Sequence, residues 1–256
     1  MKRPSYVFYA TLLDSFQSWL SSSETWQEYW GFAEDPSKSE EDFEKEQFQS
    51  LIDRINRVPM KWEDSEAADR GTVFNEIVDC VIENRNSKRA ELKSNKETGL
   101  ITANYNKRTF VFPISLIREL ADYFKGAMTQ VYTEGKLPTK YGIVLLYGFM
   151  DELMPDSVHD IKTTSKYKVG KFRKNWQHIV YPYCLRAEGN NIYDFEYNVV
   201  NLSNNSTYKE FYKFNPDVDV PRLTNHVEQL IEFIETNKQL ITDQKVFNSH
   251  QDLYAK

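Results

Sequence analysis

Residues Tyr147 to Lys162 read YGFMDELMPDSVHDIK, and this stretch decides the fold. Met154-Pro155-Asp156-Ser157 has the composition of a four-residue turn, with proline at its second position. Apolar, β-prone residues flank it on both sides, so the stretch reads as a β-hairpin. Closing that hairpin pairs Leu153 with Val158 and, two steps back, Asp151 with Asp160. Directly opposed side chains of an antiparallel pair have Cβ atoms about 5 Å apart, and like charges there repel. Lys162 shares the strand face of Asp160, because side chains repeat every two residues. His159 falls on the opposite face.

Two opposed carboxylates beside a lysine are costly unless a cation lies between them. The arrangement therefore reads as a divalent-metal site of the kind that cuts phosphodiesters. Mg²⁺ takes one or two carboxylates and keeps several waters. Asp151 and Asp160 supply the carboxylates, and the main-chain carbonyl of Ile161 adds a further oxygen. Lys162 is placed to orient an attacking water or to stabilise developing charge. A bare D-x-K tripeptide is common and is ordinarily structural, so the weight rests on what surrounds it.

With its surroundings it makes four patterns in order. Gly71-Thr72-Val73-Phe74-Asn75-Glu76 precedes Gly148-Phe149-Met150-Asp151, then Asp160-Ile161-Lys162-Thr163-Thr164, then Gln177-His178-Ile179-Val180-Tyr181. Together they resemble the PD-(D/E)XK nuclease superfamily, in its RecB-like exonuclease branch: a GTxxHE helix start, a GxxD strand, a DxKT motif and a QxxxY helix. Ala10 to Phe16 is similar to the segment with which such domains begin. The resemblance implies an α/β, restriction-endonuclease-like fold, a mixed β-sheet core flanked by helices. It makes Asp151 and Asp160 metal ligands, Lys162 the catalytic lysine, and Gln177 and Tyr181 site residues one helical turn apart. It implies Mg²⁺- or Mn²⁺-dependent hydrolysis of DNA, exonuclease ahead of endonuclease, in recombination, repair or phage and prophage DNA processing, with a recombination or helicase partner. The chain departs from the pattern where Asn75 replaces the family's histidine, a common metal ligand. Glu76 is then the substitute ligand, Asn75 offering only its amide oxygen. That exchange opens a second reading, a nuclease-derived accessory protein that grips nucleic acid but cuts poorly.

Charge adds to this. The 256-residue chain carries net charge −6, so a nucleic-acid surface must be local. From Ile161 to Arg186 there is no Asp or Glu, whereas Lys166, Lys168, Lys171, Arg173 and Lys174 all fall there. They form a candidate phosphate-binding stripe, with Tyr167 and Trp176 available to stack on bases. Arg85 to Lys96 is a second basic stretch, readable as a DNA-facing arm or as a loop. Only Cys80 and Cys184 occur. That argues against an iron–sulfur cluster, a structural zinc or a disulfide scaffold, and favours a reducing cytoplasm. His159 and His178 have no partner at zinc-ligand spacing. The N-terminus, interrupted by Asp14, Ser15, Gln17 and Ser18, is neither a signal peptide nor a membrane span.

Along the chain, a single domain over 1–256 is expected, with its core at about 70–215. Residues 5–30 suggest a short strand and an aromatic-rich helix, and 34–47 an acidic linker or exposed helix. A helix is expected from Arg70 with Val73, Phe74, Ile77, Val78, Val81 and Ile82 inward and Asn75, Glu76, Asp79 and Glu83 elsewhere. A hairpin follows over Leu100–Phe112, turning at Asn106-Lys107, and a helix from Pro113 to about Met128. Further helices are expected over 171–185, shortened or kinked by Pro182, and over 221–241, with a strand pair between them at 192–214.

Overall fold

The computed structural model describes residues 5–247; the ends of the expected 1–256 domain, including the basic start, lie outside them. Strand β1 (Tyr6–Tyr9) leads straight into α1 (Ala10–Leu20), followed by α2 (Ser22–Trp30) and α3 (Glu40–Ile55). The acidic stretch is largely the first turns of α3. Ser39 caps it by accepting the Asp42 N–H, and Glu40, Glu41 and Asp42 complement the helix dipole. Next come α4 (Glu66–Ile82), β2 (Glu91–Asn95), β3 (Leu100–Tyr105), β4 (Arg108–Pro113) and α5 (Ile114–Tyr123). The β3–β4 hairpin turns where expected. Asn106 and Lys107 both have positive φ, 48° and 60°, as a primed two-residue turn requires.

The main sheet contains β1, β5 (Met128–Thr139), β6 (Gly142–Leu153), β7 (Ser157–Thr164), β8 (Asp194–Asn201) and β9 (Ser206–Lys213). Its order is β1-β6-β7-β8-β9, with β5 also paired to β6. β1 runs parallel to β6 and β7 parallel to β8, while β5–β6, β6–β7 and β8–β9 are antiparallel. The sheet is thus mixed. A separate three-stranded sheet is formed by β2, β3 and β4.

Helices cover the main sheet. One apolar cluster joins Phe8, Leu13, Phe16, Ile55, Leu146, Val158, Val180, Tyr197, Val227 and Ile231, binding α1, α3, α6 (Gln177–Ala187) and α7 (Pro216–Thr236) to the strands. A second joins Phe74, Ile77, Phe110, Phe112, Ile117 and Phe124 to Ile161 and Val200, seating α4, α5 and the small sheet. The protein is therefore α/β, a mixed sheet flanked by helices.

Several boundaries differ from expectation. α4 starts at Glu66 and carries Gly71 in its interior; Val81 is exposed, while Glu76 and Asp79 are buried. α5 ends at Tyr123 because Gly126, with φ 88°, turns the chain into β5. Residues 128–139, where Gly135 and Pro138 interrupt the apolar Val131, Tyr132 and Leu137, were given no element from the sequence, yet they form the twelve-residue β5. α6 begins at Gln177 and continues past Pro182. α7 begins at Pro216, with Asn215 capping the Asp217 N–H, and runs through Pro221.

Candidate active site

The site forms where β6 loses a neighbour. Along one edge, β1 pairs with β6 up to Tyr9–Tyr147. On that same edge β7 pairs only at Glu152–His159 and Leu153–Val158. Residues 148–151 lie in the gap. The gap opens into a cleft of about 660 Å³ whose lining includes Asn75, Asp151, Asp160, Ile161, Lys162, Gln177 and Tyr181. The turn at Met154–Ser157 closes as read from the sequence, Met154 N–H donating to the Ser157 carbonyl at 2.9 Å.

Asp151 sits in that gap. Its Oδ2 accepts the Ile161 N–H at 2.9 Å and the Asn75 side-chain amide at 3.1 Å. Its Oδ1 accepts the Gln130 amide at 3.3 Å. Asp160 accepts Gln177 Nε2 at 2.7 Å on Oδ1 and has Lys162 Nζ at 2.8 Å from Oδ2. Gln177 Oε1 in turn accepts the Lys162 ammonium at 2.7 Å. Gln177 Nε2 also reaches Tyr181 Oη at 3.3 Å. One amide therefore holds lysine, carboxylate and phenol together. Gly148 makes room for this: a Cβ there would stand 2.5 Å from Tyr181 Cε1.

Electrostatics follow the geometry. Burial first, and then the charge of Asp160, raise the Asp151 carboxyl above the ordinary aspartate range. Burial acts to lower Lys162, but Asp160 and Asp151 outweigh it and keep the ammonium charged. Tyr181 is pushed up by burial and by Asp160, so its hydroxyl stays protonated.

Whether a divalent cation fits can be judged from unsatisfied atoms. Asn75 Oδ1 is buried without a hydrogen bond, and the buried Asp160 Oδ2 has only its ion pair with Lys162. Turning the Asn75 amide by 180° exchanges its oxygen with the nitrogen now facing Asp151. Two carboxylates, an amide oxygen and the room of the cleft suit Mg²⁺ with retained waters. Among the described residues, no group of three or more His, Cys, Asp or Glu side chains gathers as a metal cage.

Glu76 stands apart from this group. It is buried, and its Oε1 accepts Arg85 Nη1 at 2.8 Å and the Lys88 N–H at 3.3 Å. Burial works against its charge, but those bonds hold its carboxyl below the usual range. It does not line the cleft, so of the two helix candidates Asn75 is the one brought to Asp151. The basic stripe is likewise placed elsewhere. Residues 165–176 fold against α1 and α2, where Lys168 and Lys174 form ion pairs with Glu28 and Glu24. Lys171 donates to Thr164 Oγ1 at 2.6 Å. None of Lys166, Lys168, Lys171, Arg173 or Lys174 lines the cleft. Trp176 is buried, stacked 4.0 Å from His226, and Tyr167 stacks on Tyr208 at 4.4 Å. In the other basic stretch, Arg85 is committed to Glu76 and Glu83, and 91–95 is a strand.

The cations that do line the cleft, besides Lys162, are Arg54 and Arg57. Arg57 contacts Tyr147 Oη at 3.2 Å and lies 5.6 Å over the Tyr9 ring. Sequence reasoning passed over both, although the basic pair RINR at the end of an acidic helix was a visible signal. It also missed Asp14, a half-buried carboxylate that accepts the Trp176 N–H at the start of α6 and so seats Gln177. Burial pushes Asp14 up to about 7. His159 is buried on the far face, between Ser157 Oγ at 2.9 Å and Glu196 at 3.6 Å.

No known protein family and no curated protein matches the chain. Among solved structures it is similar to the crystal structure of SSO0001, at 11% identity and a TM-score of 0.44, over 91% of this chain and 78% of that one. A likeness of that degree carries no functional argument. Among the described residues, no helix is long and apolar enough to cross a membrane.

Proposed function

We propose that the protein is a metal-dependent nuclease that hydrolyses DNA phosphodiesters in the cleft at Asp151, Asp160 and Lys162. The observation that carries this reading is the joining of Asp160, Lys162 and Tyr181 through the single amide of Gln177, beside Asp151 at the open edge of β6. Asp151, Asp160 and the Asn75 amide oxygen would hold Mg²⁺ or Mn²⁺, with the Ile161 carbonyl as the further ligand read from the sequence. The bound cation would supply positive charge against the scissile phosphate and the leaving oxygen.

The chain's own groups do the rest. Gln177 and Asp160 restrain the Lys162 ammonium, so its charge is in place before substrate arrives. Lys162 stays protonated and is placed to donate to a phosphate oxygen or to orient the attacking water. Arg54 lines the cleft for a flanking phosphate, and Arg57, shared there with Asp243 at 3.5 Å, is the second cation at that end, in the part first assigned to the 166–174 stripe. The resemblance to RecB-like exonucleases puts exonuclease action first and suggests recombination, repair or phage DNA work in a cytoplasmic setting, beside a recombination or helicase partner.

A second reading has one observation in its favour. Asn75 turns its amide N–H₂ toward Asp151 where the family pattern has histidine. A site weakened in this way suits an accessory protein that binds nucleic acid and cuts poorly. Cleavage of end-labelled single- and double-stranded DNA with Mg²⁺ and with Mn²⁺ separates the two. The nuclease reading expects products from wild type and none from Asp160→Asn or Lys162→Ala at matched folding. Binding without cleavage in either metal gives the accessory reading instead.

A further inference from the structure

We infer that Gln130 is a positioning residue for the Asp151 carboxylate, a role that rests on the cation site proposed above. In the β5–β6 register, Thr129 pairs with Glu152 and Val131 with Met150, so Gln130 falls opposite Asp151. The ladder is broken at that step. Gln130 has φ 51°, and among the described residues it is the one non-glycine residue inside a strand with a left-handed backbone. Of the other non-glycine residues in that region, Asn84, Asn106 and Asn205 are of the type that tolerates it best, and all lie at turns or helix ends. A glutamine gains nothing intrinsically from this conformation. Such backbone strain persists where the surroundings impose it and is concentrated at functional sites.

What the twist achieves is visible in the side chain. It carries the Gln130 amide to Asp151 Oδ1 at 3.3 Å, on the oxygen that Asn75 and Ile161 leave free. Behind that contact lie further carboxyl oxygens with no hydrogen-bond partner: Asp79 Oδ1 and both oxygens of the fully buried Glu152. Donors on both oxygens of Asp151 fix the rotation of its carboxylate plane. Without Gln130, Oδ1 has no donor and the plane is free to turn away from Asp160. Outer groups that orient a ligand in this way typically contribute about 10–100-fold to metal affinity.

Two substitutions separate positioning from mere structure. Gln130→Ala removes the amide and keeps the backbone strain. Gln130→Gly removes the amide and relieves the strain, because glycine adopts positive φ without cost. Mn²⁺ affinity would be measured by titration calorimetry for wild type, both variants and Asp151→Asn, and thermal unfolding would be followed in chelator. We expect both Gln130 variants to bind Mn²⁺ about 10-fold or more weakly. We expect Gln130→Gly nevertheless to raise the metal-free Tm by about 2 °C, with Gln130→Ala at or below wild type. Wild-type Mn²⁺ affinity in both variants overturns the inference. If wild type takes up no Mn²⁺, or Asp151→Asn takes it up equally well, the cation reading itself fails, and that outcome is distinct from failure at Gln130.

Discussion

The carboxylate of Asp151 accepts the backbone N–H of Ile161 at 2.9 Å, just where β6 and β7 cease to pair. A side chain takes the place of a strand carbonyl, and the strands part around it. The same parting brings Asp160 and Lys162 to the cleft. The carboxyl pair is therefore created by the sheet's geometry at a cost in repulsion, and the first prediction concerns that cost.

Asp151→Asn keeps an acceptor for the Ile161 N–H and removes one of two neighbouring negative charges. In metal-free buffer at pH 8 it is expected to be more stable than wild type by about 1–2 kcal/mol. Added Mg²⁺ should raise the melting temperature of wild type and leave the variant unmoved. Equal stability without metal and an equal response to it would count against repulsion at the pair.

Gly148→Ala places a methyl group 2.5 Å from Tyr181 Cε1. The expected loss is about 1–3 kcal/mol of stability, as for other overpacked sites. Adding Tyr181→Ala should recover part of it, with a coupling of about 0.5–3 kcal/mol in a double-mutant cycle measured by urea unfolding. Purely additive losses would show that the two residues do not meet.

Gln177→Ala removes one acceptor of the half-buried Lys162 ammonium, which keeps its Asp160 ion pair, and leaves the buried Asp160 Oδ1 without a donor. The change should destabilise the fold by about 2–3 kcal/mol. Any cleavage should fall much further than substrate binding, because the phosphate-facing arginines remain. A variant that cuts as fast as wild type would remove Gln177 from its central place.

Asp79 gives a pH signature. Burial pushes its carboxyl up to about 7, whereas in the unfolded chain it titrates near 4. Between those values the folded state keeps a proton that the unfolded state has released. Stability therefore falls as pH rises from about 4 through 7. Asp79→Asn should match wild type at pH 4 and exceed it by up to about 4 kcal/mol at pH 8. A difference independent of pH would exclude this account of the buried carboxyl.

The features legible in the sequence were those with local signals. Pro155 marked the turn, and residue spacing placed Asp151 and Asp160 beside it. Asn106-Lys107 marked the small hairpin, and the periodicity of Val73, Phe74, Ile77 and Val78 marked α4. What escaped was set by tertiary contact. Gly135 and Pro138 weaken the strand signal of β5, and its partner β6 specifies it at every step but Gln130. The helix start at 70 was misjudged because Gly71 was taken for a boundary, whereas it packs within α4 with Thr163 beside it. Glu76 looked like a ligand because the sequence could not show Arg85 folding back on it. Lys168 and Lys174 looked like unpaired cations because Glu28 and Glu24 are distant in sequence.

The most direct test is a crystal of the wild-type protein soaked in Mn²⁺ and measured for anomalous scattering. The account predicts one peak within about 2.1–2.2 Å of a carboxylate oxygen from each of Asp151 and Asp160, with the Asn75 amide oxygen turned toward it. A Mn²⁺ peak elsewhere, with none between those two aspartates, would contradict it.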